Sequence, residues 1–199
     1  MRIIEVDIFS DCNLKCKHCR AYKYWINPNK GLKVLPLKFL EKAIEVFNPS
    51  VLVLSGGEPL LRPNICDVIR MLKDYGDISI SITTNGTIIP SCLQDVLTDE
   101  ILIQVSIDGP RDFHDKFRGV KGTYEKAKSF IAKFSGKTLV VQTTVVKQNI
   151  PYIHAMINDL VKVGAYIFNL RMVLPGGLGF SNYKRLSPDF YAYLKVVIN

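Results

Sequence analysis

No run of about 18 apolar residues occurs in this chain of 199 residues, so no segment reads as a membrane-spanning helix. The opening Arg2-Ile3-Ile4-Glu5-Val6-Asp7-Ile8-Phe9 does not read as a secretory leader, because acidic residues interrupt its apolar run; it reads as a first strand. Cysteine is scarce and odd in number: five, three of them clustered. That excludes a secreted disulfide framework and points to a reducing cytoplasm. The outliers Cys66 and Cys92 fall near expected helix starts and read as small buried hydrophobes. Acidic residues are missing altogether from Lys15 to Leu40, where seven Lys or Arg accumulate with Tyr22, Tyr24 and Trp25 among them. Three readings stay open for that stretch: a nucleic-acid contact, a solvated loop, or a basic rim that steers an acidic redox protein.

What is present is otherwise ordinary for one globular domain, with 48% hydrophobic and 22% charged residues. The exception is Cys12-Asn13-Leu14-Lys15-Cys16-Lys17-His18-Cys19. Extended, its seven steps could reach about 24 Å, so it must curl to bring three thiols onto one group. Thiolates this close suit zinc or an iron–sulfur cluster. A closed structural site wants four ligands, and no fourth cysteine lies nearby. Zinc with His18 or a distant fourth ligand therefore stays open on this stretch alone. Some forty residues on, the apolar Val51-Leu52-Val53-Leu54 runs directly into Ser55-Gly56-Gly57-Glu58-Pro59. Two glycines allow close approach of the backbone to a ligand, and Glu58 adds an anion beside them.

Along the chain, strands and helices alternate. Strands are expected at 3–9, 51–54, 78–84, 101–107, 138–146 and 166–173. Helices are expected at 36–47, 64–75, 91–97, 123–134 and 151–163, with a last one capped by Ser187-Pro188-Asp189. Residues 111–121 read as an irregular polar loop, and Pro175-Gly176-Gly177-Leu178-Gly179 as a break. Six strand–helix units predict a parallel sheet with right-handed crossovers, its strands apolar enough to be buried on both faces. An open doubly wound sheet and a partial barrel both remain possible. In either, the loops after the strands share one rim. The cysteines, Gly-Gly-Glu-Pro, Thr84-Asn85-Gly86 and Ser106-Ile107-Asp108-Gly109 all fall there.

The pair of motifs resembles the radical S-adenosylmethionine superfamily, over most of the chain's length. The resemblance implies an α/β fold, a six-unit (β/α)6 partial TIM barrel. It implies that Cys12, Cys16 and Cys19 hold a [4Fe-4S] cluster with one open iron, which the cofactor S-adenosyl-L-methionine chelates. Gly56, Gly57 and Glu58 would receive the methionyl amino group, and His18, before the last cysteine, would lie near the adenine. Reduction would cleave the cofactor to a 5′-deoxyadenosyl radical that abstracts hydrogen from a peptide or small metabolite. An acidic donor such as a flavodoxin or ferredoxin would supply the electron.

Ser106-Ile107-Asp108-Gly109-Pro110, followed by His114-Asp115 and Phe117-Arg118-Gly119, resembles the peptide- and sulfatase-maturing SPASM/Twitch branch. There the serine contacts the cofactor, which makes Ser106 the candidate. Arg118 could pair with the cofactor carboxylate or be a plain surface arginine, and Arg171 has similar standing. Asp108 could cap its loop or touch a ligand. His114 and Asp115 read as loop-ordering residues. One departure is that no cysteine-rich extension follows the sixth strand, as many members of that branch carry. The apolar end Lys195-Val196-Val197-Ile198-Asn199 suggests a fragment, or a partner covering it. The competing function is a non-enzymatic zinc module binding nucleic acid.

Overall fold

A computed structural model describes residues 1–20, 34–173 and 177–182. Six strands form one sheet: β1 (Ile3–Phe9), β2 (Val51–Gly56), β3 (Ser79–Thr84), β4 (Leu102–Ser106), β5 (Leu139–Val145) and β6 (Ile167–Met172). Every neighbouring pair is parallel, and the order is β1-β2-β3-β4-β5-β6. A doubly wound sheet reverses its strand order at a switch point. Here nothing reverses, so the sheet is a barrel wall left open between β1 and β6. The partial barrel is the fold.

The helices α1 (Leu37–Phe47), α2 (Ile65–Lys73), α3 (Leu93–Val96), α5 (Thr123–Lys133) and α6 (Ile153–Val161) lie within a few residues of their expected spans. Leu52, Leu54, Ile82, Ile103 and Val105 on the outward face of the strands pack with Leu40, Val68, Ile69, Leu72, Ala127 and Phe130 in one continuous core. Burying each such side chain is worth about 1.5–3 kcal/mol.

Four expectations change. Residues 111–118 are not irregular: they form α4 (Arg111–Arg118), with Pro110 at its start and Gly119 ending it in the left-handed conformation at φ 75°. Its apolar partners Phe113 and Phe117 stack four residues apart, which is helical spacing. The break after β6 contains a further short helix, α7 (Gly177–Asn182). Cys66 and Cys92 are not separate buried thiols but a disulfide joining α2 to the turn before α3, so the cysteine count no longer argues for a reducing compartment. Finally, the central strands are buried on both faces, but the inward face mixes polar residues with Val53 and Val140. Inward-facing Ser81 takes a hydrogen bond from Gln104 Nε2 at 2.8 Å, and Glu5, Asp7, Thr83, Ser106, Gln142 and Arg171 line the lumen. Such a wall differs from the layered apolar interior of a full barrel, and its polar residues Ser81, Gln104 and Ser106 are buried. The helix expected from Ser187 and the aromatic residues Tyr22, Tyr24 and Trp25 lie outside the described residues.

Candidate active site

The cysteine loop is held from two sides. Gly57 N–H donates to the Phe9 carbonyl at 2.8 Å, and Glu58 N–H to the Asp11 carbonyl at 2.8 Å. A Cβ on Gly57 would sit 2.1 Å from the Asp11 oxygen, and one on Gly56 2.3 Å from the Phe9 oxygen. The glycine pair therefore lets the chain leaving β1 press against the end of β2. These amides are spent on the loop rather than left for a ligand. On the other side, Lys15 N–H donates to the Arg118 carbonyl at 3.2 Å and Lys17 N–H to that of Phe117 at 2.9 Å. Gly119 is needed there too, since a Cβ would lie 2.5 Å from the Lys15 oxygen. The helix that reads as a loop in sequence is thus the platform on which the cysteines rest.

Cys12, Cys16 and Cys19 are free thiols and line one cavity of about 600 Å³ with the loops that follow β2 and β3 and with the end of β4. Two of the sulfurs face N–H donors: Asn85 Nδ2 is 3.9 Å from Cys12 Sγ, and Arg118 Nη1 is 3.8 Å from Cys16 Sγ. Burial pushes the Cys12 thiol up to about 12, with Glu58 and the neighbouring thiols adding to it. Burial also raises Cys16, against the pull of Arg118. Among the described residues, no three His, Cys, Asp or Glu side chains converge on a single ion.

Glu58 is 1% exposed and fully occupied. Its Oε1 accepts from Leu60 N–H at 3.1 Å and Thr84 Oγ1 at 2.7 Å, and its Oε2 from Asn85 N–H at 2.7 Å. Burial pushes its carboxyl up while these bonds pull it down. His18 stacks on Phe117 with ring centroids 4.2 Å apart, and its Nδ1 is buried without a hydrogen-bond partner. Burial first, then Arg118, brings its pKa down to about 3, so the ring is neutral. Ser106 is buried on the cavity wall at the end of β4. Arg118 Nε donates to Asp108 Oδ2 at 2.6 Å. Asp108 Oδ1 accepts from Thr144 N–H at 2.9 Å, and the Asp108 N–H donates to His114 Nδ1 at 3.1 Å. Asp115 accepts from Gly122 N–H, Tyr124 N–H and Thr123 Oγ1. His114 and Asp115 therefore order loops, as their pattern suggested.

Cys12, Cys16, Cys19, His18, Gly56, Gly57, Glu58, Ser106 and Arg118 all line this one cavity, as does Arg171, whereas Asp108 does not. Sequence reasoning passed over Asn85, whose Nδ2 also reaches Asn13 Oδ1 at 2.9 Å, and over Glu5 and Asp7 of β1. The alternation of Ile4, Val6 and Ile8 with Ile3, Glu5 and Asp7 was the available signal for the latter. Burial and then Glu5 push the Asp7 carboxyl up, while Arg20 draws it down.

Comparison with family models matches residues 6–160 to the Radical SAM superfamily. The chain belongs to that superfamily. An "AdoMet-dependent heme synthase" from Oleidesulfovibrio alaskensis is 33% identical over 184 residues, which are 88% of this chain and 46% of that protein. Another of the same name, from Methanosarcina barkeri, is 30% identical over 98% of this chain and 59% of its own length. The chain spans about half the length of the curated relatives it matches. Among solved structures, Streptococcus suis SuiB bound to S-adenosylmethionine superposes with a TM-score of 0.80 at 18% identity, over 98% of this chain and 46% of that one. At that identity the likeness shows the fold shared with a radical SAM partial barrel. Among the described residues, no helix of this radical SAM protein is long and apolar enough to cross a membrane.

Proposed function

We propose that the 199 residues make up a radical SAM core domain in which Cys12, Cys16 and Cys19 hold a [4Fe-4S] cluster and S-adenosyl-L-methionine occupies the adjoining cavity. The observation that carries the reading is the set of three free thiols ringing one polar cavity, two of their sulfurs faced by N–H donors. Such donors stabilise a thiolate ligand, and thiolate is the form that binds iron. When bound, the cluster and cofactor together supply a 5′-deoxyadenosyl radical able to take a hydrogen atom from a substrate.

The chain's own residues bind, orient and exclude water. A protonated methionyl amine needs acceptors, and Gly56 and Gly57 offer carbonyl oxygens beside the engaged amides of Gly57 and Glu58, whereas the Glu58 carbonyl already accepts from Leu61 N–H at 3.1 Å. His18, neutral and stacked on Phe117, presents a flat apolar face and an unpaired ring nitrogen suited to adenine. Ser106 offers a hydroxyl from the opposite wall. Arg118 has two of its three nitrogens engaged by Asp108 and Cys16, so a cofactor carboxylate would share an already fixed fork.

The substrate reading follows from the lumen. Hydroxyls, amides, two carboxylates on β1 and Arg171 on β6 suit a polar peptide or small metabolite, and the gap between β1 and β6 gives a bulky one a way in. The solved SuiB is also known bound to its precursor peptide SuiA, which fits that access. An acidic flavodoxin or ferredoxin is the proposed electron donor, working in the cytoplasm. Of the seven basic residues that would meet it, Lys15, Lys17, Arg20 and Lys38 lie among the described residues, and Lys23, Lys30 and Lys33 lie outside them. The test is anaerobic reconstitution with iron and sulfide. A brown protein with about four irons supports the proposal; a colourless one holding a single zinc contradicts it.

A further inference from the structure

Arg118 ends α4, 7% exposed, with its guanidinium wedged between a carboxylate and a sulfur. Its Nε is 2.6 Å from Asp108 Oδ2 and its Nη1 is 3.8 Å from Cys16 Sγ. The carboxylate is itself immobile. Asp108 is 0% exposed, and Oδ1 takes the Thr144 amide of β5. Its backbone N–H goes to His114, and its carbonyl accepts from Asn149 Nδ2 at 2.7 Å. α4, β5 and the turn at Asn149 thus fix a buried dipole whose positive end points at the Cys16 sulfur. Nothing in packing alone requires the pair: apolar side chains in place of both Arg118 and Asp108 would avoid two desolvated charges, often at no loss of stability, whereas removing one alone leaves the other buried and unpaired.

We propose that Arg118, oriented by Asp108, sets the reduction potential of the metal group bound to Cys16. This rests on the reading that Cys16 is a cluster ligand. One-electron reduction places extra negative charge on the group and its sulfurs. A fixed cation and an N–H donor on the Cys16 sulfur stabilise that charge, strongly so in a low-dielectric surround. Asp108 opposes it through its own charge while holding the donor in place. The two residues therefore pull the potential in opposite directions, and Arg118, which alone of the pair faces the sulfur, pulls harder.

The experiment is an EPR-monitored redox titration of the reconstituted protein and its variants. Arg118→Gln, which leaves the Asp108 charge uncompensated, is expected to move the potential negative by at least a tenfold change in the reduction equilibrium, 59 mV for one electron. Asp108→Asn is expected to move it positive. Arg118→Lys keeps the charge but loses the fork, so a smaller negative shift is expected from it. Potentials unchanged, or moved in the same direction by both variants, overturn the inference. Should a variant fail to fold, resonance Raman of the Asn85→Ala holoprotein, which lacks the amide facing Cys12, still decides: an iron–thiolate stretch that shifts in deuterated water supports the Arg118 donor, and an unshifted one overturns it. A wild type that takes up no cluster fails the parent reading, whereas a cluster with unmoved potentials fails this one alone.

Discussion

The backbone N–H of Asn85 donates to Glu58 Oε2 at 2.7 Å, so one carboxylate ties the end of β2 to the end of β3. Thr84 reinforces the tie: its hydroxyl accepts from Gly86 N–H at 3.0 Å and donates to Glu58 Oε1 at 2.7 Å. All three groups aimed at Glu58 are donors. Glu58→Gln must turn an amide NH2 toward one of them, at a cost of about 1–3 kcal/mol. A lower Tm and less iron after reconstitution are expected, because Asn85, which faces Cys12, moves with the tie.

The two glycines are expected to fail differently from one elsewhere. Gly57→Ala drives a Cβ to 2.1 Å from the Asp11 oxygen, and backbone cannot swing away as a flexible side chain can. A loss of at least about 1–3 kcal/mol follows, with loss of the cluster. Gly136→Ala meets nothing within 4 Å and should be neutral or slightly stabilising, by roughly 0.4–1 kcal/mol. Parallel urea midpoints compare the pair.

Acid should weaken the fold through His114. Burial, then the Arg118 charge, brings its pKa down from 6.5 to about 4. The native state thus binds fewer protons than the unfolded state between those values. Its stability contribution is intact above about pH 6.5 and is lost as pH falls toward 4, by roughly 3 kcal/mol. His114→Asn keeps an acceptor for the Asp108 amide but does not titrate. The wild type's stability minus the variant's should be constant above pH 6.5 and fall by roughly 3 kcal/mol between pH 6.5 and 4; a difference constant throughout would contradict the reading.

Cys66→Ala opens a loop of sequence separation 26. By chain-entropy reasoning this costs about 3.5 kcal/mol. The disulfide lies outside the site, so iron content and cofactor cleavage should survive below the lowered Tm. Loss of cleavage with the cluster intact would give Cys66 a role in catalysis that its position does not.

The succession of strands and the rim were legible because both follow from local pattern: apolar runs, and turn motifs placed directly after them. The unreversed order of the sheet was not, since that pattern fits a doubly wound sheet equally, and it came from the resemblance. The polar lumen was legible as well, in Ser79, Ser81 and Thr83 between isoleucines, yet an apolar average hid it. α4 looked like a loop because six of its eight residues are polar or charged, although Pro110 before it and Gly119 after it are helix punctuation. The roles of Asn85 and of the Asp108–Arg118 pair were not readable from the chain. They depend on parts of the sequence 73 and 102 residues apart meeting at the sulfurs. The Cys66–Cys92 pairing is likewise a product of how α2 lies against the turn before α3.

The most direct test of the whole account is the fate of the nucleoside. Anaerobically reconstituted protein, given dithionite and S-adenosyl-L-methionine, is predicted to release 5′-deoxyadenosine, and Cys16→Ala is predicted to release none. An iron-loaded wild type that leaves S-adenosyl-L-methionine intact under reductant would contradict it.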